Sequence, residues 1–447
     1  MGGSILQKNT HPICSGALLL TVTGLFCRLL GFYYKIFLSR TIGAKELGLY
    51  QLAMPLLAIG IAFASSGFHT AISRYVAKSI SAKNGTERAY LNIGIFLSLF
   101  FSALFCVPCL LFAPKIAASI FCEPSITTLL YPLILCIPLE CFHGCINGYY
   151  YGLQKSAIPS AGQCIEQFVR IGSVLICYHV LTVSDLPFTK FHAMLGLLFG
   201  EIASTFYYLN ILVFSKKKKL ASMPPSKRAI SHDLLSMACP LSMTRLLLTL
   251  LHGAENIMIP LCLVRFGLTN TQSLSIYGIY SGMALPMIFF PSAITHAVSV
   301  MLLPGVAKQQ ADGTPEQISD TIRYTISFCV LLGTSAVFAF FFFGPWLGRF
   351  LFQNEEVGVF LRILSFLSPF LYLETTLGSI LNGLGKTSLV FFQNLAGDVI
   401  RILAILFLVP VFGIRGYLYG ILASELTIMT MALLFLHRES ANGFAVH

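Results

Sequence analysis

Long apolar runs alternate with short polar connections along the whole chain. Each run has roughly 20 to 25 residues, enough for a helix to cross a bilayer core of about 30 Å. In the first half the runs cover residues 14–38, 47–72, 90–113, 126–150, 161–183 and 191–214. In the second half they cover residues 236–264, 275–303, 321–343, 358–381, 389–411 and 413–436. The pattern predicts an all-α polytopic membrane protein with about 12 transmembrane helices.

The two halves of the chain repeat each other at an offset of 231 residues. The residues that recur without a gap are Pro138, Gly152, Leu153, Lys155, Arg170 and Ile171, which return as Pro369, Gly383, Leu384, Lys386, Arg401 and Ile402. Two similar halves around a central site are a common construction of secondary transporters. We predict an N-terminal six-helix lobe (1–215), a basic cytoplasmic linker (216–235), a C-terminal six-helix lobe (236–437) and a cytoplasmic tail (438–447).

Composition agrees with a membrane protein, since 56% of the residues are hydrophobic and only 11% are charged. The net charge of +11 does not indicate nucleic acid, because the basic residues lie between apolar runs rather than on one face. They are concentrated in the connections on one side, including Lys216–Lys219, Lys227 and Arg228. This bias predicts a multi-pass protein of the cytoplasmic membrane with both termini cytoplasmic. It leaves the oligomeric state open.

Three motifs are typical of nucleotide or metal binding, but the residues around them do not favour either function. The stretch 383–388 imitates a phosphate-binding loop, but Ile380 stands where that loop needs glycine, so we expect no nucleotide. Glu140 and His143 form an E-x-x-H pair, and the repeat has Glu374 in place of His143, which favours a polar pair over a metal site. Most of the 13 cysteines lie inside apolar runs and are expected to pack rather than bind metal.

Charged residues inside the apolar runs are the strongest functional indication. Each costs on the order of 3 kcal/mol at a helix centre, so most must face the bundle interior or a water-filled cavity. Two pairs can meet on one helix face in corresponding places of the two halves, and they are Glu166 with Arg170 and Asp398 with Arg401. We interpret them as structural ion pairs that hold each lobe, with substrate contact as the alternative.

Arg28 is different, because no carboxylate lies within one helical turn of it in the sequence, and Lys35 follows two turns later. Its partner is either a carboxylate on another helix, such as Glu140, Glu201 or Glu255, or an anionic group of a transported molecule, which guanidinium binds well. Arg245 is the matching candidate in the second half.

His252 and Glu255 share a face of the seventh helix. They could bind a proton or cation for coupling, as could Glu140 and Glu374. Packing polarity is the alternative for these four residues.

Residues 26–32 (FCRLLGF), 38–44 (LSRTIGA) and 48–51 (GLYQ) resemble the start of the stage V sporulation protein B-like family. This family belongs to the MATE-like exporter superfamily, and the chain is more distantly similar to its lipid II flippases. The resemblance implies two six-helix lobes around a central cavity that opens alternately to each side. Arg28 matches an arginine of the cationic cavity, whereas Tyr34 beside Lys35 stands where the lipid II flippases have a further arginine.

The resemblance also implies a polyprenyl-pyrophosphate-linked sugar as substrate, flipped outward for cell wall or spore cortex synthesis. We therefore expect a flippase that is not an enzyme and has no cofactor, with a headgroup held by Arg28, Lys35 and Arg245. A coupling ion (Na⁺ or H⁺) or the membrane potential could drive it. The alternatives are a cation-coupled multidrug exporter that uses Glu140, Glu255 or Glu374 as its acid, and a non-transporting scaffold for spore-envelope assembly.

Overall fold

The computed structural model describes residues 12–83, 85–214, 226–312 and 315–441. The predicted linker lies outside these residues up to position 225, and its remainder forms the beginning of a long helix. Most of the predicted tail also lies outside them. Within the described part every regular element is a helix, with no strand.

The described residues of the first half form seven α-helices and one 3-10 helix, Pro124–Ile126. In chain order the α-helices are α1 (Pro12–Ala64), α2 (Ser66–Ser81), α3 (Glu87–Leu111), α4 (Ala113–Ser119), α5 (Thr127–Gly152), α6 (Ala157–Val183) and α7 (Lys190–Phe214). Helix α1 is too long for one crossing, and its backbone breaks at Gly43, where φ is 77° and ψ is 174°. This left-handed φ is accessible to glycine at little cost, so the chain turns there between two crossings.

In the second half the described residues form ten α-helices, several of them short. They are α8 (Lys227–Arg265), α9 (Asn270–Tyr277), α10 (Leu285–Ile288), α11 (Ser292–Asp312), α12 (Pro315–Leu347), α13 (Glu355–Ser365), α14 (Ser368–Gly383), α15 (Thr387–Phe407), α16 (Val409–Phe412) and α17 (Ile414–Ala441). A π-helical turn, Gly278–Ala284, joins α9 to α10. A second one, Gly348–Phe352, follows α12.

Nine stretches of the described chain are long and apolar enough to span a membrane, or eleven when two bent helix pairs each count as one span. The first of them, Leu19–Ser81, has 63 residues, which is far more than the roughly 20 that one crossing needs. Dividing it at Gly43 makes the total consistent with the predicted twelve. The protein is an all-α polytopic membrane protein.

Polar contacts define two faces of the helix bundle. The Tyr90 hydroxyl donates to Asp233 at 3.0 Å, so α3 and α8 begin at the same face, where the linker also attaches. We call this the linker face. Lys190 at the beginning of α7 pairs with Glu46 at 2.8 Å, close to the break at Gly43, on what we call the opposite face.

Glycines allow the two halves to pack closely along one edge. A Cβ atom added at Gly278 would lie 2.0 Å from the carbonyl oxygen of Ala44, and one at Gly48 would lie 2.2 Å from that of Leu274. Nearer the linker face, the Gly67 amide donates to the Ser242 hydroxyl at 3.1 Å. The second crossing of α1 and helix α2 therefore pack against α8 and α9 along this edge.

This packing predicts that Gly278→Ala destabilises the contact between the halves. The added methyl meets backbone atoms, which cannot rotate away, and overpacking of this kind costs about 1–3 kcal/mol. We expect a lower midpoint of thermal unfolding in detergent than for the wild type. Gly172→Ala is the matched control, because no atom lies within 4 Å of its added Cβ. Equal midpoints for the two variants would contradict the prediction.

Candidate functional site

A buried charge cluster centred on Arg170 lies within the first half. Arg170 of α6 pairs with Glu166 one turn earlier and lies 3.6 Å from Glu201 of α7. The other oxygen of Glu201 lies 2.7 Å from Nε2 of His143, which in turn lies 3.8 Å from Glu140 on α5. We call these five residues the N-lobe cluster. It ties three helices together.

A second cluster surrounds Arg401 of α15, the repeat equivalent of Arg170. Arg401 pairs with Asp398 and lies 3.3 Å from Glu255 of α8 and 3.4 Å from Glu425 of α17. His252 of α8 lies 3.0 Å from Asp398. We call these residues, together with the neighbouring Glu374 of α14, the C-lobe cluster.

Tyrosine hydroxyls extend the C-lobe cluster. Tyr417 of α17 donates to Glu255 at 2.6 Å, and its oxygen lies 3.1 Å from that of Tyr280 in the π-helical turn. Ion pairs and hydrogen bonds of the cluster thereby connect α8, α15, α17 and the π-helical turn. Glu255 accepts a hydrogen bond from Tyr417 and forms an ion pair with Arg401, so its charge is compensated, as burial in an apolar bundle requires.

The two clusters differ in charge balance. The N-lobe cluster sets three carboxylates against one arginine and one histidine, whereas the C-lobe cluster sets four against the same two bases. In the C-lobe cluster one oxygen each of Asp398 and Glu425 is buried without a hydrogen-bond partner among the described residues. The C-lobe cluster therefore has more capacity to accept a proton or a small cation.

Each cluster also contains three side chains whose ligand atoms lie within 4.8 Å of one another. They are Glu140, His143 and Glu201 in one cluster and His252, Glu255 and Asp398 in the other. The sequence interpretation of Glu140 and His143 as a polar pair omitted Glu201, which the fold brings from 58 residues away. Both sets pair with an arginine, whose charge opposes the binding of a multiply charged metal ion.

A central cavity of about 540 Å³ lies between the halves. Arg28 and Lys35 line it from α1, His296 lines it from α11 and Glu374 lines it from α14. Neither Arg28 nor Lys35 forms an ion pair with any described residue, in contrast to Arg170 and Arg401. Their seven-residue spacing places both cations on one helix face, about 10 Å apart along the axis.

Two side compartments continue from the central cavity. The N-lobe compartment, of about 500 Å³, is lined by residues that include Arg28, Tyr151, Gln163 and Gln167. His296 lines it as well as the central cavity.

The C-lobe compartment, of about 470 Å³, contains the side chains of Asn382, Gln393 and Asn394. His296 and Glu374 line it together with the central cavity. The three spaces therefore meet at His296.

Contacts between the halves close the central cavity toward the opposite face. The ring of Phe32 lies 5.3 Å from that of Phe290 and 6.4 Å from that of Phe352. Beyond these rings, Arg40 of α1 donates to the backbone carbonyls of Leu351, at 2.6 Å, and Phe350. These contacts form a gate, and both side compartments lie on its linker-face side.

Asn270 and Glu123 make a further contact between the halves at the opposite face, with the amide donating to the carboxylate at 2.5 Å. Burial raises the pKa of Glu123, but hydrogen bonds from Ser125 and Asn270 outweigh it, so the pKa lies below its ordinary value. The carboxylate is therefore ionised and able to accept this bond at neutral pH.

The structure brings together most of the residues that the sequence indicated. Arg28, Lys35 and Glu374 line the central cavity, whereas His252 and Glu255 belong to the C-lobe cluster. Glu140, Glu166 and Arg170 belong to the N-lobe cluster, and Asp398 and Arg401 to the C-lobe cluster.

Arg245 is placed elsewhere. Its side chain is exposed on α8, near His69, and it does not line the three spaces described above.

Sequence reasoning did not indicate His296 or Gln393. His296 is the only ionisable side chain in the apolar run 275–303 other than tyrosines, which could have singled it out.

Comparison with known proteins places the chain among membrane transporters. The family model described as "Polysaccharide biosynthesis protein" matches residues 13–310, and the MatE model matches residues 240–407. Stage V sporulation protein B of Bacillus subtilis (strain 168) is 26% identical over 417 residues, covering 90% of this chain and 79% of that protein. Lipid II flippase MurJ of the same organism is 22% identical, covering 88% of this chain and 76% of that protein.

Among solved structures, an inward-facing multidrug resistance MATE family transporter of the MOP superfamily superposes with a TM-score of 0.71. It is 15% identical, and the match covers 95% of this chain and 98% of that one. The two halves are therefore the two lobes of a MATE-like fold.

The charge clusters predict that Arg401→Gln is strongly destabilising. It leaves buried carboxylates without their cation, which typically costs about 3–5 kcal/mol. Arg349→Gln is the control, because Arg349 pairs with Glu355 where both side chains are more than two thirds exposed, and such pairs contribute under about 1 kcal/mol. The measurement is the midpoint of thermal unfolding in detergent. A decrease no larger than that of Arg349→Gln would show that the cluster does not need its arginine.

The gate predicts that Arg40→Ala favours separation of the lobes at the opposite face, because two hydrogen bonds between them are lost. A fluorescent donor and acceptor placed at the exposed Leu186 and Val411 should report a larger population at long distance. Arg349→Ala, an exposed arginine whose ion pair lies within one lobe, should leave the distance distribution unchanged. The gate assignment is wrong if both variants behave like the wild type.

Proposed function

Because the chain belongs to the polysaccharide biosynthesis protein family, we propose that it is a flippase for a polyprenyl-diphosphate-linked oligosaccharide or peptidoglycan precursor. It moves this lipid across the cytoplasmic membrane by alternating access and does not alter it chemically. The bilayer and the lipid-linked sugar are its partners, and neither nucleotide nor nucleic acid takes part.

Two cations without protein partners carry the proposal. Arg28 and Lys35 line the central cavity, and no described carboxylate neutralises them. An unpaired charge within the membrane is costly, so an anionic ligand that enters the cavity gains both electrostatic attraction and hydrogen bonds. A diphosphate offers oxygens to both side chains, and a guanidinium binds phosphate in a bidentate manner.

The relatives support the substrate class. One is named as a lipid II flippase and another as a sporulation protein, which favours a precursor of the cell wall or spore cortex as the cargo. The identity of the sugar does not follow from these names.

The closed gate supports a transport cycle. With Phe32 and Phe290 in contact, the cavity is closed toward the opposite face, which leaves the linker face as the side of entry, and the excess of basic residues assigns that face to the cytoplasm. Substrate enters there, and the lobes then separate at the opposite face to release it. Both termini are cytoplasmic in this arrangement.

The C-lobe cluster supports coupling of transport to a cation. Its four carboxylates exceed its two bases, and Glu374 connects it to the central cavity. Protonation or Na⁺ binding there would change the electrostatic field that the substrate meets. The membrane potential is a further source of energy for moving a charged headgroup.

The carboxylates of the two clusters favour a second candidate, a cation-coupled exporter of small drugs that uses Glu140, Glu255 or Glu374 as its acid. Drug resistance on overexpression without any change in wall precursors would select this function. A scaffold for spore-envelope assembly is a third class, and a transport-dead variant that still supports spore formation would select it.

The flippase proposal predicts that Arg28→Ala lowers the rate of flipping in proteoliposomes. Loss of a charge-assisted hydrogen bond costs about 1.5–3 kcal/mol, equivalent to roughly 10- to 100-fold. Arg28→Lys should retain more activity, because it keeps the charge but not the bidentate geometry. Arg349→Ala should match the wild type. Unchanged flipping by correctly inserted Arg28→Ala protein would contradict the proposed role.

A further inference from the structure

The C-lobe compartment contains amide side chains that the protein itself does not use. Gln393 of α15 lines the compartment and is 2% exposed, yet its amide nitrogen has no hydrogen-bond partner among the described residues. Asn382 and Asn394 line it too, and no described residue hydrogen-bonds to their side chains. A buried amide without a partner costs about 1–3 kcal/mol. A ligand in the compartment would satisfy these groups.

The neighbouring serine hydroxyls, by contrast, already donate hydrogen bonds to backbone carbonyls. Ser379 donates to the carbonyl of Ser299 at 2.5 Å, and Ser299 donates to the carbonyl of Thr375 at 3.1 Å. The free hydrogen-bonding capacity of this wall therefore lies in the amides. An amide both donates and accepts, so it matches ligand groups such as hydroxyls and acetamides.

The C-lobe compartment and the central cavity differ in the charge of the side chains that line them. The cations Arg28 and Lys35 line the central cavity but not the compartment, so the carboxyl group of Glu374, which lines both spaces, faces cations only in the centre. A diphosphate is therefore favoured in the centre and disfavoured in the compartment. Because His296 and Glu374 line both spaces, a group attached directly to the diphosphate can extend into the compartment.

The repeat places polar side chains at the same positions in the other lobe. Asn382 and Asn394 correspond, at the 231-residue offset, to Tyr151 and Gln163, which line the N-lobe compartment. Polar walls thus occur in equivalent places on both sides of the cavity. Among the described residues that line the two compartments, Gln393 alone has a buried amide nitrogen without a hydrogen-bond partner.

We propose that the C-lobe compartment is the glycan-binding subsite, in which Gln393 and Asn394 hydrogen-bond to the hydroxyl and acetamido groups of the sugar. Its volume of about 470 Å³ lies in the usual range for ligand pockets. The inference rests on the proposed function, which places the diphosphate beside Arg28 and Lys35.

The test compares two probes, farnesyl diphosphate and farnesyl diphosphate linked to N-acetylglucosamine, by equilibrium binding to the purified protein. The wild type should bind the sugar-bearing probe roughly tenfold more tightly, as expected for one or two net hydrogen bonds. Gln393→Met and Asn394→Leu keep approximate size but remove the amides. They should abolish this preference and leave the affinity for farnesyl diphosphate within about twofold. Asn210→Leu, exposed on α7 and outside the three spaces, should retain the preference.

The outcomes distinguish the subsite from the proposed function. If the wild type binds both probes equally, the diphosphate site stands and the glycan subsite is wrong. If the variants lose affinity for both probes to the same extent, the amides support the fold and the assignment is also wrong. If the wild type binds neither probe, the proposed function fails, and the subsite fails with it.

Discussion

The compensation of charge inside the membrane is the constraint on which the rest of this structure depends. Arg170 and Arg401 each pair with a carboxylate of their own helix and with carboxylates of other helices, and these bonds hold each lobe together. A partner lost from such a cluster leaves a buried charge, so separating the helices of one lobe is costly. Arg28 and Lys35 lack such partners among the described residues, and they lie in the space between the lobes. These two cations, which the described residues leave without partners, are therefore those that line the central cavity.

The duplicated architecture separates structural features from functional ones. Features that occur in both copies, such as the buried arginines, support the fold, because the helices of each lobe must pack in a similar way. Features that occur once are candidates for function. The cation pair of α1 has no equivalent on α8, since Arg245 is exposed and lies away from the cavity. The surplus carboxylate of the C-lobe cluster is a second asymmetry, and it underlies the coupling role proposed above for that cluster.

Much of the fold could be predicted from the sequence, because hydropathy and the 231-residue repeat act over lengths that match one helix and one lobe. The pairs Glu166–Arg170 and Asp398–Arg401 were also within reach, since neighbours on one helix face follow from helical geometry. Glu201 beside His143, and Glu425 beside Arg401, were not, because helix packing decides which helices meet. Arg245 shows the opposite limit. As a cation in the first span of the second half it was a candidate for the cavity, but its side chain is exposed on α8 and lies outside the three spaces.

A structure of the protein with a polyprenyl-diphosphate-linked sugar bound in the membrane or in detergent tests the central claim most directly. The account predicts that the phosphate oxygens contact Arg28 and Lys35, with both lobe clusters unchanged in their pairing. The account is contradicted if Arg28 is paired with a carboxylate of another helix while the diphosphate lies outside the central cavity.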